Sequence, residues 1–214
     1  MVVAVEYISK EESTDVAEGA ASAQHGVTGI LAVQGAFAEH AAMLDRLGAP
    51  WKLLRAAEDF DDSIDRVILP GGESTTQGKL LRSTGLFEPI AAHIAAGKPV
   101  FGTCAGMILL ARCLDNDENV YFGALDAVVR RNAYGRQLGS FHTVHDLKGL
   151  GEIPMTFIRA PYISQAADDV EGLAAVDGHI VAVRCKNQTA LAFHPELDES
   201  DALHQQFLAQ CKNA

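Results

Sequence analysis

A cysteine set among small residues is the part of this sequence that most strongly suggests chemistry. Gly-Thr-Cys-Ala-Gly, residues 102–106, follows the largely apolar run 98–101 and precedes the helix-favouring run 107–111. A chain that turns abruptly from a strand into a helix strains the residue at the turn, and small neighbours leave both sides of it open. A thiol at a helix N-terminus is favoured in its nucleophilic thiolate form. The pattern predicts a nucleophile at Cys104, and a buried cysteine in a tight turn is the alternative.

A second motif lies near the end of the chain. His-Pro-Glu, residues 194–196, follows the apolar run 190–193. Proline disfavours the helical region for the residue before it, so we expect an extended His194 whose side chain lies on the same side as that of Glu196. The carboxylate would fix one tautomer of the imidazole while the other ring nitrogen faces a thiol. The two motifs predict a Cys-His-Glu triad, and a strand end with an exposed acid is the alternative for the second.

A glycine loop supplies a third candidate. Pro-Gly-Gly-Glu-Ser, residues 70–74, follows the apolar run 66–69. Adjacent glycines let backbone N–H groups point into a cleft, so the N–H groups of Gly72 and Ala105 are candidates for an oxyanion hole. Such a loop also suits phosphate, but Glu73 stands where a nucleotide-binding P-loop needs lysine. We therefore discount nucleotide binding, and a plain turn is the remaining alternative.

Composition limits the classes of function. The chain has 214 residues, 48% of them hydrophobic, which suits one globular enzyme domain. A net charge of −11 leaves no basic stripe for nucleic acid, and no apolar run approaches the ~20 residues that span a bilayer. The four cysteines form no CxxC pair, so we expect reduced thiols in a cytoplasmic protein. No cofactor and no metal are expected.

The order of elements predicts the fold. Strands are predicted at 30–33, 51–54, 66–69 and before the elbow, and helices at 36–47, 76–82 and 87–96. This alternation predicts a parallel α/β sheet whose sites lie at the carboxyl ends of the strands. Five short strands follow at 127–129, 155–158, 173–176, 180–183 and 189–193, with a hairpin turn at Asp177-Gly178 and a last helix that Ser200 or Asp201 caps. We expect an α/β fold of three layers, with a mostly parallel central sheet and added antiparallel strands.

The domain organisation is simple. After a short apolar start, the N-terminal segment is rich in Glu, Ser, Ala and Gly, a composition typical of a mobile tail. We expect residues 1–27 to form such a tail and residues 28–214 to form a single domain.

These motifs carry a resemblance to known enzymes. The elbow and the His-Pro-Glu motif resemble those of the class I glutamine amidotransferases, the triad glutaminases. Four further stretches resemble one family of that group, the glutaminase subunits of pyridoxal 5′-phosphate synthase: 33–36, 69–76, 131–137 and 157–161. The similarity extends from about Gly29 to Leu208, and Tyr-Gly-Arg-Gln, residues 134–137, is far more specific than the triad.

The resemblance implies a reaction and a substrate site. Cys104 would attack the side-chain amide of L-glutamine, His194 would protonate the departing ammonia and then activate water, and Glu196 would orient His194. The implied glutamine site is lined by Gly72, Glu73, Ser74, Arg131, Ile158 and Arg159. An arginine suits the substrate α-carboxylate, although without the resemblance both arginines would be taken as solvated surface charges.

The resemblance also implies a partner. Ammonia would pass to a synthase subunit that builds pyridoxal 5′-phosphate from ammonia, a pentose phosphate and a triose phosphate, within a large hetero-oligomer. Such glutaminases are weak alone and are activated by docking, and the Gly71-Gly72 peptide has the backbone freedom to move. We place Gln34 near this loop and the partner face, with an ordinary polar strand end as the alternative.

Two parts of the chain depart from the family pattern. Residues 1–27 precede the usual start of family members, so they form a mobile tail or translation begins near Val27. His142-Thr143-Val144-His145 stands where a more acidic stretch is expected. We expect the two histidines to be solvated loop residues, because no third ligand accompanies them to make a metal site.

Three other functions remain open from the sequence. A glutaminase subunit of another amidotransferase would share the triad and differ at residues 134–137. A cysteine peptidase or chaperone-like hydrolase with a similar elbow usually lacks His-x-Glu at this late position. A non-enzymatic interaction module would be favoured if a triad residue were missing, and Cys104, His194 and Glu196 are all present.

Overall fold

The computed structural model describes residues 26–115, 117–131 and 140–210. Residues 1–25 of the predicted tail and the specific segment 134–137 lie outside these ranges. The described helices are α1 (Phe37–Arg46), α2 (Ser74–Ser83), α3 (Phe87–Ala95), α4 (Ala105–Leu110) and α5 (Ala202–Ala209). The described strands are β1 (Val27–Leu31), β2 (Trp51–Leu54), β3 (Ile64–Leu69), β4 (Val100–Thr103), β5 (Ala111–Leu114), β6 (Leu125–Arg130), β7 (Ser140–Leu147), β8 (Gly151–Ile158), β9 (Tyr162–Ala166), β10 (Glu171–Val176), β11 (His179–Cys185) and β12 (Gln188–Leu191).

Ten of the described strands form one sheet. Nine of them lie side by side in the order β2-β1-β3-β4-β12-β11-β9-β6-β5, and β10 pairs with β11. The first five strands of that order run parallel to one another, as do β5 and β6. The strands β9 to β12 add the antiparallel pairs. The predicted α/β fold, with a mostly parallel central sheet and added antiparallel strands, is confirmed.

Two neighbouring strands at the centre of this sheet carry the candidate triad. β4 and β12 run parallel, and Thr103 pairs with Leu191 near their carboxyl ends. Every residue of both strands is buried, as is usual for parallel strands covered on both faces. Because parallel strands end at one edge of the sheet, the segments that follow β4 and β12 meet there. Cys104 and His194 are brought together in this way.

Several element boundaries differ from the sequence prediction. β1 begins at Val27, so the predicted run 30–33 overlaps only its last two residues, because pairing with β2 and β3 also recruits the non-apolar Thr28 and Gly29. α4 ends at Leu110, and Ala111, predicted as helical, starts β5 with no glycine or proline between them.

The strands β5, β7 and β9 are not predicted by the sequence pattern. β7 alternates between exposed and partly buried residues, and β9 buries only Ile163. Strands with so few buried side chains produce a weak apolar signal, so their pairing partners define them. At the last helix, Asp201 occupies the N-cap position of α5, one of the two positions predicted, but its side chain makes no capping hydrogen bond.

The predicted hairpin turn is present. Asp177 and Gly178 have φ angles of 52° and 78° and connect β10 to β11. Two consecutive left-handed residues match the twist of a two-residue hairpin. Within the described residues, no helix is both long enough and apolar enough to cross a membrane.

α4 packs very closely against the sheet. A Cβ atom placed on Gly106 would lie 2.0 Å from the carbonyl oxygen of Leu69 at the end of β3. Real atoms cannot approach so closely, so only glycine lets the helix that follows the elbow sit against β3.

We expect Gly106→Ala to lower the free energy of unfolding by about 2 kcal/mol, because the added methyl group pushes α4 away from β3. Gly172→Ala is the matched control, since a Cβ there meets no atom within 4 Å, and it should change stability by less than about 0.5 kcal/mol. Urea unfolding measures both. Equal stability of the two variants would contradict the close packing of α4.

Candidate active site

Cys104 occupies a strained position between β4 and α4. Its φ and ψ angles are 48° and −100°, a conformation that residues with a side chain rarely adopt. Its backbone N–H donates a hydrogen bond of 2.7 Å to the carbonyl oxygen of Leu191 on β12. The elbow that the sequence predicts is therefore present and is tied directly to the strand that precedes His194. The Cys104 side chain is buried, and its sulfur lies 4.0 Å from the carbonyl oxygen of Ile158.

His194 and Glu196 form a buried pair on the segment after β12. Nδ1 of His194 lies 2.7 Å from Oε1 of Glu196. His194 and Cys104 line the same cavity. The backbone of this segment differs from the extended conformation that the sequence predicts. Pro195–Leu197 form a short 3-10 turn, and His194, with φ −114° and ψ 82°, precedes it. The turn brings the two side chains together, while the proline keeps His194 out of the helical region.

The environment of His194 favours its protonated form. Burial acts to lower its pKa, but hydrogen bonds to Cys104 and Glu196 outweigh burial and raise the pKa to about 10. At neutral pH the ring therefore carries a proton beside the Cys104 sulfur. A proton held at this position is what a departing amine requires.

Glu196 is the most enclosed member of the triad. Its side chain is fully buried, and burial raises its pKa while the hydrogen bond to His194 acts in the opposite direction. Oε1 is engaged by His194, but Oε2 has no hydrogen-bond partner in the described part of the chain. A buried carboxylate oxygen without a hydrogen-bond donor lowers the stability of the fold, so any donor close to Oε2 would be stabilising.

The glycine loop lies directly against the triad. A Cβ on Gly71 would lie 2.2 Å from Cε1 of His194, so the loop backbone packs on the imidazole ring. The Gly71 N–H donates to Oγ1 of Thr103 at 3.0 Å, and its carbonyl accepts from the Ala36 N–H at 3.0 Å. Both peptide groups of Gly71 are thus held by neighbouring elements.

Two glutamines hold the same loop from the other side. Oε1 of Gln34 accepts a hydrogen bond of 2.8 Å from the Glu73 N–H. Nε2 of Gln77 donates to the carbonyl oxygens of Gln34 and Pro70, at 2.9 and 3.1 Å. Gln34 lies beside the loop, where the sequence analysis places it, whereas Gln77 was not singled out there.

A pocket of about 270 Å³ opens beside Cys104. Every residue of the implied glutamine site lines it, together with two members of the triad and three further side chains. The lining residues are Gln34, Gly72, Glu73, Ser74, Cys104, Ile108, Arg131, Ile158, Arg159, Pro161 and His194. Its volume is near the lower end of the range for small-molecule sites.

Glu73 and Arg131 form a charged wall of this pocket. The Glu73 carboxylate caps α2 by accepting from the N–H groups of Thr75 and Thr76. Burial acts to raise the pKa of Glu73, but these hydrogen bonds outweigh it and lower the pKa to about 2. The Arg131 guanidinium lies 3.3 Å from the Glu73 carboxylate and also pairs with Asp117. A fixed anion and a fixed cation therefore lie side by side.

Arg159 contributes backbone strain as well as charge. It is exposed and has a φ of 45°, in the left-handed region. Strained residues of this kind often occur where a ligand is held.

Three buried polar residues behind the triad were not found by sequence reasoning. Thr103 ends β4, His40 lies on α1 and His204 lies on α5, and all three are fully buried. The signal that could have found His40 is its place among Ala41 and Leu44 on the buried face of α1. A histidine on an apolar stripe indicates a buried polar contact.

His142 and His145 lie on β7, so the expectation of a loop is wrong. Residues three apart on a strand point to opposite faces, which separates the two rings and excludes a shared metal ion. Nδ1 of His142 instead lies 3.0 Å from Oγ1 of Thr156 on β8, which donates to Asp198.

We expect the stability of the protein to fall as pH rises between about 6.5 and 10, and to fall less in His194→Gln. The folded state raises the His194 pKa from 6.5 to about 10, so its contribution is complete below the unfolded pKa and is lost as pH passes the folded pKa. Urea unfolding of both proteins at several pH values measures this difference. Parallel pH profiles would contradict a stabilised imidazolium in contact with Cys104 and Glu196.

Several known proteins are similar to this chain in sequence or in structure. A protein of Bifidobacterium longum named Pyridoxal 5′-phosphate synthase subunit PdxT is 69% identical over 189 residues, covering 86% of this chain and 100% of the relative. One of the same name from Bifidobacterium adolescentis is 64% identical over 207 residues, with the same coverage of each chain. A crystal structure of a glutamine amidotransferase matches with a TM-score of 0.83 and 41% identity, over 87% of this chain and 100% of that one.

A family model matches almost the whole described region. The model is that of the SNO glutamine amidotransferases, and it covers residues 30–213. The match contains the elbow, the glycine loop and the His-Pro-Glu motif. The chain therefore belongs to the SNO glutamine amidotransferase family.

Proposed function

We propose that the protein hydrolyses L-glutamine to L-glutamate and ammonia and delivers the ammonia to a synthase subunit that makes pyridoxal 5′-phosphate. One pocket is lined by both Cys104 and His194, and His194 is hydrogen-bonded to Glu196; this arrangement carries the proposal. Membership of the glutamine amidotransferase family and the names of the Bifidobacterium relatives support the substrate and the pathway.

The reaction follows from the chemistry of the three side chains. The Cys104 sulfur attacks the carbonyl carbon of the substrate side-chain amide, and the negative charge that develops on oxygen is stabilised by the N–H groups of Gly72 and Ala105. His194 transfers its proton to the amide nitrogen, the C–N bond breaks and ammonia leaves, which gives a γ-glutamyl thioester. His194 then removes a proton from water as water attacks the thioester, and glutamate and the free thiol are formed.

The charged wall of the pocket suits an amino acid. L-glutamine carries an α-ammonium and an α-carboxylate group, and the pocket presents the Glu73 carboxylate next to the Arg131 guanidinium. A guanidinium binds a carboxylate through two parallel hydrogen bonds. Ser74, Ile158 and Arg159 complete the substrate site in this proposal.

The partner is a pyridoxal 5′-phosphate synthase subunit, and the complex is a large hetero-oligomer. The relatives are named as subunits of that synthase, which supports a docked enzyme. The Gly71-Gly72 peptide is the part of the site that responds to docking, since Gln34 and Thr103 both contact the loop that contains it. We further propose that residues 28–214 form a single amidotransferase domain and that the complex works in the cytoplasm, where the thiol of Cys104 stays reduced.

We expect Cys104→Ala to lower glutamine hydrolysis by at least about 10³-fold, because the nucleophile is removed. The fold should be retained, since one small buried side chain replaces another. Glutamate release measures the activity and circular dichroism the fold. Cys113→Ala, on β5 and away from the pocket, is the matched control and should retain the activity of the unmodified protein. Near-normal turnover by Cys104→Ala would remove this residue from the mechanism.

We expect glutamate release by the purified chain to be low alone and to rise strongly when the synthase subunit is added. Docking would complete the oxyanion hole, so the change should appear mainly in kcat. Peptide substrates and unrelated amidotransferase synthases serve as controls, since they test the peptidase and the alternative amidotransferase functions. No glutamine turnover with the synthase subunit under reducing conditions would contradict the proposed enzyme and favour an interaction module.

A further inference from the structure

A network of buried polar groups lies behind the candidate triad. Nδ1 of His40, on α1, lies 2.9 Å from Nε2 of His204, on α5. Nε2 of His40 lies 3.2 Å from Oγ1 of Thr103 and 3.5 Å from Oε2 of Glu196. His40, Thr103 and His204 are all fully buried, so they contact these groups and the surrounding core without solvent.

His40 and His204, the two histidines of this polar network, are neutral at neutral pH. Burial holds the pKa of His40 well below its usual value, and a positive charge on the neighbouring His204 or His194 acts in the same direction. Burial and the charge of Arg46 lower the pKa of His204 to about 4. A neutral imidazole has one N–H donor and one acceptor nitrogen, so the tautomer decides which neighbour of His40 receives a hydrogen.

The Glu196 carboxylate selects the tautomer. Oε2 of Glu196 has no hydrogen-bond partner among the described residues, and the His40 Nε2 atom faces it. A lone pair on Nε2 would repel the carboxylate, whereas an N–H there would make a charge-assisted contact. The His40 Nδ1 atom then accepts from the His204 Nε2–H.

The surroundings of His204 agree with this tautomer. With its proton on Nε2, His204 keeps an unprotonated Nδ1, and this atom has no partner among the residues that the structure describes. A buried acceptor without a partner is more readily tolerated than a buried N–H without one. In the opposite tautomer, Nδ1 of His204 would carry the proton and would be a buried N–H donor without a partner among the described residues.

The Nε2–H of His40 lies between two parts of the reaction site. One neighbour is Glu196, which orients His194. The other is Thr103, whose Oγ1 accepts the Gly71 N–H at 3.0 Å and so anchors the glycine loop. A single N–H thus contacts the triad acid and the anchor of the proposed oxyanion loop.

We propose that His40 is a positioning residue, whose Nε2–H holds Glu196 and the Thr103 anchor of the glycine loop in their reactive arrangement, with His204 fixing its tautomer. The inference rests on the proposed glutaminase function. His40 does not touch the substrate; it acts through Glu196 and Thr103. The separation of 3.5 Å between His40 Nε2 and Glu196 Oε2 is long for a hydrogen bond, as catalytic hydrogen bonds often are in the absence of substrate.

Two substitutions at His40 separate positioning from packing. In His40→Gln the amide reaches the place of Nε2 and can donate to Glu196 and Thr103, but the contact with His204 is lost. In His40→Asn the shorter amide reaches only the place of Nδ1, so the contact with His204 is kept and the donor to Glu196 is lost. Each variant loses one contact of the same buried polar network, either with His204 or with Glu196, so their stabilities should be similar.

Activity is measured on the complex with the synthase subunit. We expect His40→Asn to lower kcat by about 10–100-fold, the loss commonly caused by removing a group that orients a metal ligand through a hydrogen bond, with KM changed less than about threefold. We expect His40→Gln to recover most of the lost kcat. Equal kcat losses in the two variants, or losses that follow their melting temperatures, would overturn the proposal.

His93→Asn is the matched control for burial. His93 is another buried histidine, and its Nε2 atom lies 3.2 Å from the carbonyl oxygen of Pro99, away from the pocket. The substitution removes a buried Nε2 contact in the same way, so it should lower stability while leaving kcat unchanged. A fall in kcat like that of His40→Asn would show that lost stability alone explains the effect.

Nitrogen-15 NMR of the full chain gives a readout that does not depend on turnover. The His40 signals are identified by their absence in His40→Gln, and we expect a neutral ring protonated on Nε2. A ring protonated on Nδ1 would overturn the proposal even if the complex hydrolyses glutamine. Absence of hydrolysis by the unmodified complex would instead remove the proposed function, and with it the positioning role, whatever the tautomer.

Discussion

The parallel pairing of β4 with β12 is the constraint on which the site depends. The register places Thr103 opposite Leu191, and the Cys104 N–H continues the pairing with its hydrogen bond to the Leu191 carbonyl. Cys104 and the segment that carries His194 are far apart in sequence, and this register fixes their distance. A slip of one residue would turn every side chain of a strand to the other face of the sheet. The full burial of both strands makes such a slip costly.

The same close packing explains the glycines and the strain around the elbow. Gly106 allows α4 to approach Leu69, and Gly71 allows the loop to lie on the His194 ring. With side chains at these positions, neither the helix nor the loop could reach the triad. The left-handed backbone of Cys104 is held by strand pairing on one side and by α4 on the other. The strain at Cys104 persists because the surrounding structure determines its position.

Burial also organises the charges of the site. His194, Glu196, His40 and His204 are all removed from water, and each has a hydrogen-bond or ionic contact with another member of the set. Burial would neutralise His194, but its contacts with Cys104 and Glu196 keep it protonated. His40 and His204 stay neutral, chiefly because burial lowers their pKa values. The environment therefore assigns different roles to chemically identical side chains.

The sequence by itself determined the elements with strong local signals. Proline and glycine mark the elbow, the glycine loop, the His-Pro-Glu motif and the Asp177-Gly178 hairpin, because these residues restrict or extend backbone freedom wherever they stand. The long apolar runs likewise indicated the central strands. Only the tertiary structure decided which strands pair, that the sparsely buried β7 and β9 are strands, and that His40 and His204 meet behind Glu196. Those features depend on contacts between residues distant in the chain, and no local pattern encodes the distance between two buried side chains.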